Sequence, residues 1–475
     1  MDNTKSLKLF LEKTKSGEID IIENTAKVLE EAEKIDSQYN YFNMISKDLA
    51  LAQAEKLAKK DPKDFPLYGL PVSVKDNICV KGVESTAGSR ILKGYKPLFN
   101  ATAIQKLIDA GAVIIGKTSQ DEFGFGSFNA NTGKGFKVPK NPFDKSRACG
   151  GSSGGSAGIA QKLKLHVSIG ESTGGSIVNP AALTGTVGLC PTYGRVSRYG
   201  LIDYANSLDK IGPIANSVYG SALILKIIAG RDPKDSTSSP NPVDDYPSYI
   251  KKPVKGMKIA IIKESMQGLD NSIKDSVWDS VKALEQNGVG YDEVSLPLTM
   301  KYGTYAYYVI ATAEASTNLA RFSGLRYGAQ ENPTEQFNEY FSKIRSENLG
   351  KEAKRRIIIG TFARMSGFRN AYYIKAMKVR TMIINEYKKL FKDYDALISP
   401  TVPFTALTFD EISQLSPLQI YLMDNLTIGP NLAGLPHITV PTYTSGLPKA
   451  TMLIADHFNE KAIIQLSSHL GNGSD

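Results

Sequence analysis

Between Cys149 and Ser176 the chain reads C-G-G-S-S-G-G-S-A-G at the front and E-S-T-G-G-S at the back. Two Gly-Gly-Ser corners result, with Ser152 and Ser176 24 positions apart. Each pushes a hydroxyl out of a backbone too lean to hide it. Glycine reaches conformations closed to other residues and lets a ligand come close to the main chain. Backbone N–H groups at such a corner can converge on an anion. An exposed hydroxyl nucleophile beside donors for an oxyanion is the equipment of acyl transfer.

Such a hydroxyl needs a base. Gly150-Gly151-Ser152-Ser153-Gly154 fits G-x-S-x-G, the nucleophile elbow, which requires a histidine and an acid further along the chain. The chain has four histidines: His166, His437, His457 and His469. His166 and His437 fall in apolar strands, where a histidine is more often a satisfied core residue than a base. No H-G-G-G oxyanion loop accompanies them. The remaining strong base is lysine. At a free pKa of about 10.4, roughly one lysine in 2,500 is neutral at pH 7, and desolvation favours the neutral amine. Lys75 ends the apolar run Leu70-Pro-Val-Ser-Val and is suited to this; the ordinary expectation for such a lysine is to reach for water. A lysine and two serines can form a relay, in which the amine takes a proton from one hydroxyl that takes it from the other.

The elements around these residues alternate helices with short apolar strands, which predicts an α/β fold with a mixed, mostly parallel sheet. Leu67 to Asn77 reads as a turn and a short buried strand, residues 101–118 as a helix and then a strand, and Gly155 to Leu163 as a helix after the first corner. Gly188 to Pro213 reads as irregular. Residues 1–60 carry helical patterns over Ile21 to Ile35 and Leu49 to Leu57. Gly111-Ala-Val-Ile-Ile-Gly116-Lys117-Thr118 fits the Walker A pattern letter for letter. Its four intervening residues spell a strand, however, where a phosphate cradle needs a loop.

Composition narrows the class. Of 475 residues, 41% are hydrophobic and 22% charged, as in a globular protein. No run approaches the roughly 18 apolar residues of a membrane span. The opening M-D-N-T-K-S-L-K lacks the apolar stretch of a leader, so a cytoplasmic protein is expected. Cys79, Cys149 and Cys190 are too few and scattered for a disulfide framework or a zinc site, and read as buried thiols. A net charge of +9 without a dense basic run permits a nucleic-acid neighbour but does not require one.

Three motifs in order, G-L-P-V-S-V-K-D-N (69–77), G-G-S-S-G-G-S (150–156) and T-G-G-S-I (173–177), resemble the amidase signature family. D-E-F-G-F-G-S (121–127), P-T-Y-G-R-V-S-R-Y-G-L (191–201), S-L-D-K-I-G-P (207–213) and N-L-A-G-L-P (431–436) are similar to its tRNA-dependent amidotransferase branch. The resemblance implies a helical region over 1–64 and an amidase signature domain over 65–475. Within that domain, 65–230 would be the signature core, 240–253 a linker and 254–475 the part carrying a substrate clamp. It implies a triad in which Ser176 is the nucleophile, Ser152 the bridging serine after a non-proline cis peptide, and Lys75 the base. Thr173, Gly174 and Gly175 would form the oxyanion hole, and Ser153 would support the relay.

The branch hydrolyses glutamine, whose α-carboxylate and ammonium call for one cation and one anion. The resemblance gives these to Arg356 in K-R-R-I and Asp424 in Y-L-M-D, with Tyr307 and Ser127 as further pocket contacts; read alone, Arg356 is a solvated helix charge. It implies no metal or cofactor in this chain. ATP and Mg²⁺ would belong to a partner B subunit that receives the ammonia and contacts the tRNA, with a small C subunit wrapping the pair. Alternatives are a stand-alone amidase for another small amide and a non-catalytic scaffold. The chain departs from the branch's S-D-T-G-G-S-I-R, having E-S-T-G-G-S-I-V. The acid becomes Ser172 and the arginine Val178. Both charges go together, and Glu171 is expected to substitute in part.

Overall fold

A computed structural model describes residues 6–331, 336–442 and 445–470. Met1–Lys5, on which the expectation about a leader partly rests, and the last five residues of the 65–475 unit lie outside them.

Eleven strands form one sheet: β1 (Phe42–Ile45), β2 (Pro71–Lys75), β3 (Val113–Thr118), β4 (Val167–Ser172), β5 (Val187–Cys190), β6 (Lys210–Ala215), β7 (Lys258–Ile262), β8 (Gly290–Val294), β9 (Ala396–Pro400), β10 (His437–Pro441) and β11 (Ala450–Ile454). Their order is β1-β3-β2-β4-β6-β5-β10-β11-β9-β7-β8. Residues alternate between the two faces along each strand. In β7, Ile259 and Ile261 join one apolar cluster while Ala260 and Ile262 join the other. In β9, Ala396 and Ile398 face one way and Leu397 the other. The sheet is therefore covered by helices on both sides, as an α/β class requires.

The sheet is mixed, but not mostly parallel. β2 runs parallel to β3 and β4, and β7 parallel to β8 and β9. The other six of its ten pairings are antiparallel. Helix–strand alternation implies crossover connections and hence parallel neighbours, but β5 reaches β6, and β10 reaches β11, with no intervening helix, and such strands return antiparallel. The stretch 188–213 accordingly begins and ends in strand. β5 and β6 are short and fully buried, each contains a glycine and β6 also a proline, so neither shows the alternation that marks a strand.

The parallel trio positions the site. All five residues of β2 are buried, as in a strand covered on both faces. Lys75 ends β2, the segment Ser119–Asp121 leaves the end of β3, and Thr173 follows β4. Three carboxyl strand ends thus meet where open α/β sheets place their ligands. The helix Gly154–Lys162 starts directly behind the first serine corner, and the helix Val178–Thr184 behind the second. Gly116 and Lys117 lie inside β3; the Lys117 amine donates to Ser85 Oγ at 2.6 Å and to the Asp76 carbonyl at 3.1 Å. Among the described residues, no helix is long and apolar enough to cross a membrane.

Candidate functional site

Lys75 is fully buried, and its Nζ lies 2.7 Å from Ser152 Oγ. The Gly151–Ser152 peptide is cis. The Ser153 hydroxyl donates to the Glu171 carbonyl at 3.0 Å, which also accepts from Lys75 Nζ at 2.9 Å, while the Ser153 N–H donates to the Ser176 carbonyl at 3.2 Å. Ser176 keeps 8% exposure, and its hydroxyl makes no hydrogen bond among the described residues. Base and first serine are thus in contact. The second serine sits at the neighbouring corner with its hydroxyl uncommitted.

The loop after β4 is held open by close approach. A Cβ at Gly174 would lie 2.6 Å from the Tyr307 hydroxyl, and one at Gly175, where φ is +150°, would lie 2.3 Å from Thr427 Oγ1. Among the described residues, the N–H groups of Thr173, Gly174 and Ser176 meet no acceptor, whereas Gly175 N–H donates to Ser172 Oγ at 3.1 Å. The free donors are what an oxyanion would need. Ser172, standing where the resembled pattern has an acid, is engaged in shaping this loop.

Glu171 does not take over the role of that missing acid. Its carboxylate turns to the base instead: Oε2 lies 2.9 Å from Lys75 Nζ and 3.0 Å from Asn77 Nδ2. Its carbonyl also lies 2.9 Å from Lys75 Nζ. Burial favours a neutral amine, and a carboxylate in contact favours the ammonium. The environment of Lys75 is therefore not the purely apolar one expected from the strand. Val178 is fully buried in apolar packing.

Thr173 Oγ1 lies 2.9 Å from Glu171 Oε1 and 2.8 Å from Asp209 Oδ1. A hydroxyl has one hydrogen to donate, so one of these carboxyls carries a proton. Burial first, then the Glu171 and Asp203 charges, push Asp209 well above the usual carboxylate range.

A second group of side chains gathers on the far side of Ser127. Asp424 is buried, accepting from Ser127 Oγ at 2.7 Å, Tyr308 OH at 3.2 Å and Asn179 Nδ2 at 2.8 Å. Burial pushes its carboxyl up to about 6 against the pull of those donors. Arg356, only 3% exposed on the helix Lys351–Arg364, is no solvated charge. Its guanidinium lies 5.1–5.6 Å from the ring centres of Phe125, Tyr204, Tyr308 and Tyr421. Nε donates to Glu352 at 2.9 Å and Nη1 to Tyr204 OH at 2.6 Å. Nη2 has no hydrogen-bond partner among the described residues. Tyr307 is buried, with its ring edge-on to Tyr308 at 5.0 Å.

A cavity of about 240 Å³ opens beside this clamp, lined in part by Asp121, Phe125, Ser127, Glu352, Arg356 and Tyr421. Lys75, Ser152 and Ser176 do not line it. Ser127 connects the two halves, since its carbonyl accepts from Gly151 N at 2.7 Å and its hydroxyl reaches Asp424. Asp121, which lines the cavity, also reaches the relay, its N–H donating to the Ser152 carbonyl at 3.3 Å; its carboxylate accepts from Asn129 N and Asn131 N at 2.9 Å, and burial pushes it up to about 6.

The histidines are elsewhere. His166 bonds Ser73 at 3.0 Å, and burial holds it down at about 3, so it stays neutral. His437 is also buried and held well below its usual range, first by burial and then by Lys210. The three cysteines are buried, and burial pushes Cys79 up to about 11.

Sequence reasoning missed the aromatic enclosure of Arg356, its partner Glu352, and the Glu171–Thr173–Asp209 chain. Phe125 and Tyr421 stand inside the quoted motifs D-E-F-G-F-G-S and Y-L-M-D and were available as signals; Tyr204 and Glu352 had none.

The family model described as Amidase matches residues 23–464. The glutamyl-tRNA(Gln) amidotransferase A subunit of Streptococcus sanguinis is 45% identical over 454 residues, 95% of this chain and 92% of that protein. The protein of the same name from Carboxydothermus hydrogenoformans is 44% identical over 469 residues, covering 97% and 96%. Among solved structures, the glutamyl-tRNA(Gln) amidotransferase A subunit of Thermotoga maritima is similar at a TM-score of 0.78 and 36% identity, covering 96% of this chain and 91% of that one. Peptide amidase from Stenotrophomonas maltophilia is similar at a TM-score of 0.81 and 26% identity, covering 97% and 94%.

Proposed function

The chain belongs to the amidase family, and from that footing we propose that it is the glutamine-hydrolysing subunit of a tRNA-dependent amidotransferase. Its ammonia would convert Glu-tRNA(Gln) to Gln-tRNA(Gln), Asp-tRNA(Asn) to Asn-tRNA(Asn), or both, in the cytoplasm. The relatives' names support the amidotransferase assignment. What carries the choice of glutamine is the pairing of a buried cation, Arg356, with a buried carboxylate, Asp424, on two sides of Tyr308. Amino-acid substrates present both charges at one end, and a general amide does not need such a clamp.

In this mechanism Lys75 takes the Ser152 proton while Ser152 takes the proton of Ser176. The Ser176 oxygen forms a bond to the carboxamide carbon, and the developing oxyanion is met by the uncommitted N–H groups of Thr173, Gly174 and Ser176, Gly175 N–H being held by Ser172. The proton returns by the same route to the departing nitrogen, the C–N bond breaks, and ammonia leaves. Water then repeats the sequence in reverse on the acyl-serine, releasing glutamate. Arg356 holds the α-carboxylate through its uncommitted Nη2, Asp424 and Ser127 hold the ammonium end, and Tyr307 closes the pocket against Gly174. ATP and Mg²⁺ act in this scheme at a B subunit, which binds the tRNA, and a small C subunit joins the two.

The test is ammonia release by the purified chain from glutamine and from a simple aliphatic amide, with co-purified chains identified from the native cell. Glutamine should be preferred by at least about a hundredfold in kcat/KM. Equal use of both amides would move the assignment to a stand-alone amidase.

A further inference from the structure

We propose that Glu171 is a positioning residue for the Lys75 base, aiming its amine at Ser152 and holding the charge that the amine gains. This rests on the amidase mechanism above.

The geometry at Nζ is the starting point. Its three neighbours are Ser152 Oγ at 2.7 Å, the Glu171 carbonyl at 2.9 Å and Glu171 Oε2 at 2.9 Å. A neutral amine has two hydrogens and one lone pair. Both Glu171 oxygens can only accept, so they take the two hydrogens, and the lone pair is left facing the Ser152 hydroxyl. When that proton arrives, the third hydrogen already points along the Ser152 line. The new positive charge then lies against a carboxylate in a fully buried site, where a fixed counter-charge acts most strongly.

The carboxylate is itself held on both oxygens. Asn77 Nδ2 fixes Oε2 at 3.0 Å, and Thr173 Oγ1 meets Oε1 at 2.9 Å. Thr173 begins the loop whose N–H groups face the oxyanion, so one side chain ties the base to that loop. A buried glutamate costs stability unless paired; here it is 0% exposed and fully engaged. The serine that the S-D-T-G-G-S-I-R pattern carries at this place could not span the same gap.

The charged and titratable groups facing the pair come from several elements. Lys75 ends β2, Asp121 follows β3, Cys190 ends β5, Asp209 precedes β6 and Lys210 opens it. Glu171 is the carboxylate in direct contact with the amine, at 2.9 Å, while Asp121 is a second acid near it.

The experiment is Glu171→Gln in the full chain, with Glu171→Ser as the second variant because the resembled pattern tolerates serine there. Two rates are followed from pH 5.5 to 10: glutamine hydrolysis, and labelling of Ser176 by a fluorophosphonate read by intact mass. Labelling reports activation of the serine whatever the natural amide. Failure of glutamine hydrolysis alone therefore sinks the substrate assignment and leaves this inference to the labelling data. Loss of the carboxylate should move the rising limb of both profiles to lower pH by about one unit or more, because an opposite charge in contact shifts titration by about 1–3 units. The plateau should fall about tenfold or more as the amine loses its aim. A lowered plateau with an unmoved limb in both variants makes Glu171 merely structural and overturns the proposal. So does wild-type protein whose Ser176 is not labelled.

Discussion

Ser127 donates its hydroxyl to the Asp424 carboxylate over 2.7 Å, joining residues 297 positions apart. The same Ser127 accepts at its carbonyl from Gly151, beside the bridging serine. The clamp and the relay are therefore registered by one residue, and a change in the charge of Asp424 acts on substrate binding from within a rigid frame.

That charge depends on pH in a defined direction. Burial pushes the Asp424 carboxyl up to about 6. Above that value it is ionised and can pair with an ammonium; below it the partner is neutral. KM for glutamine should therefore rise as pH falls from 7 to 5, by about tenfold per unit once well below the midpoint. Asp424→Asn should show a high KM at all these pH values. A KM that stays flat across this range removes Asp424 from the clamp.

Arg356 is fixed by four rings, Glu352 and Tyr204, which leaves Nη2 for the substrate carboxylate. Arg356→Lys keeps a charge but loses the stacking and the planar guanidinium that lets Glu352 and Tyr204 aim the remaining nitrogen. Its KM for glutamine should rise about tenfold to a hundredfold, matching a charged hydrogen bond of about 1.5–3 kcal/mol, with kcat changed far less. An equal fall in kcat with KM unchanged would place Arg356 in the chemical step instead.

Much of this site could be read from the chain because its parts are short and local. Gly-Gly-Ser corners and a lysine at the end of an apolar strand each state their chemistry within a few residues. Direction in the sheet could not be read, since an apolar run such as Val187–Cys190 says nothing of which way its neighbour points. Nor could the enclosure of Arg356. Phe125, Tyr204, Tyr308 and Tyr421 come from four separate segments, and only folding brings them around one guanidinium. The partner of Glu171 was equally hidden, because a carboxylate one position from a lost acid looks like its replacement until the side chain is seen to turn toward Lys75.

Lys75 and Ser176 should separate when removed one at a time. Ser176→Ala removes a hydroxyl that makes no hydrogen bond among the described residues, so ammonia release should vanish while the melting temperature holds. Lys75→Ala removes the buried amine paired with Glu171 at 2.9 Å. It strands that carboxylate and should cost about 3–5 kcal/mol as well as activity. Denaturant titration of both variants checks this. A Lys75→Ala protein as stable as wild type would mean that the pair is not an ionic one.

Asp209 offers the opposite sign. Burial, with the Glu171 and Asp203 charges behind it, holds its carboxyl well above the usual range. The folded state therefore holds this proton to higher pH than the unfolded chain does. That contribution is fully present below the unfolded carboxylate range of about 4 and is lost as pH rises toward the folded value. Asparagine mimics the protonated acid. Its oxygen can accept from Tyr204 N and Ala205 N, both 2.9 Å from Oδ2, while its amide donates to Thr173. Asp209→Asn should therefore leave stability nearly unchanged at pH 4 and raise it progressively above, as followed by urea midpoints from pH 4 to 9. A variant destabilised by the same amount at every pH would show that Asp209 is folded in its ionised form, and that the proton shared with Thr173 sits on Glu171.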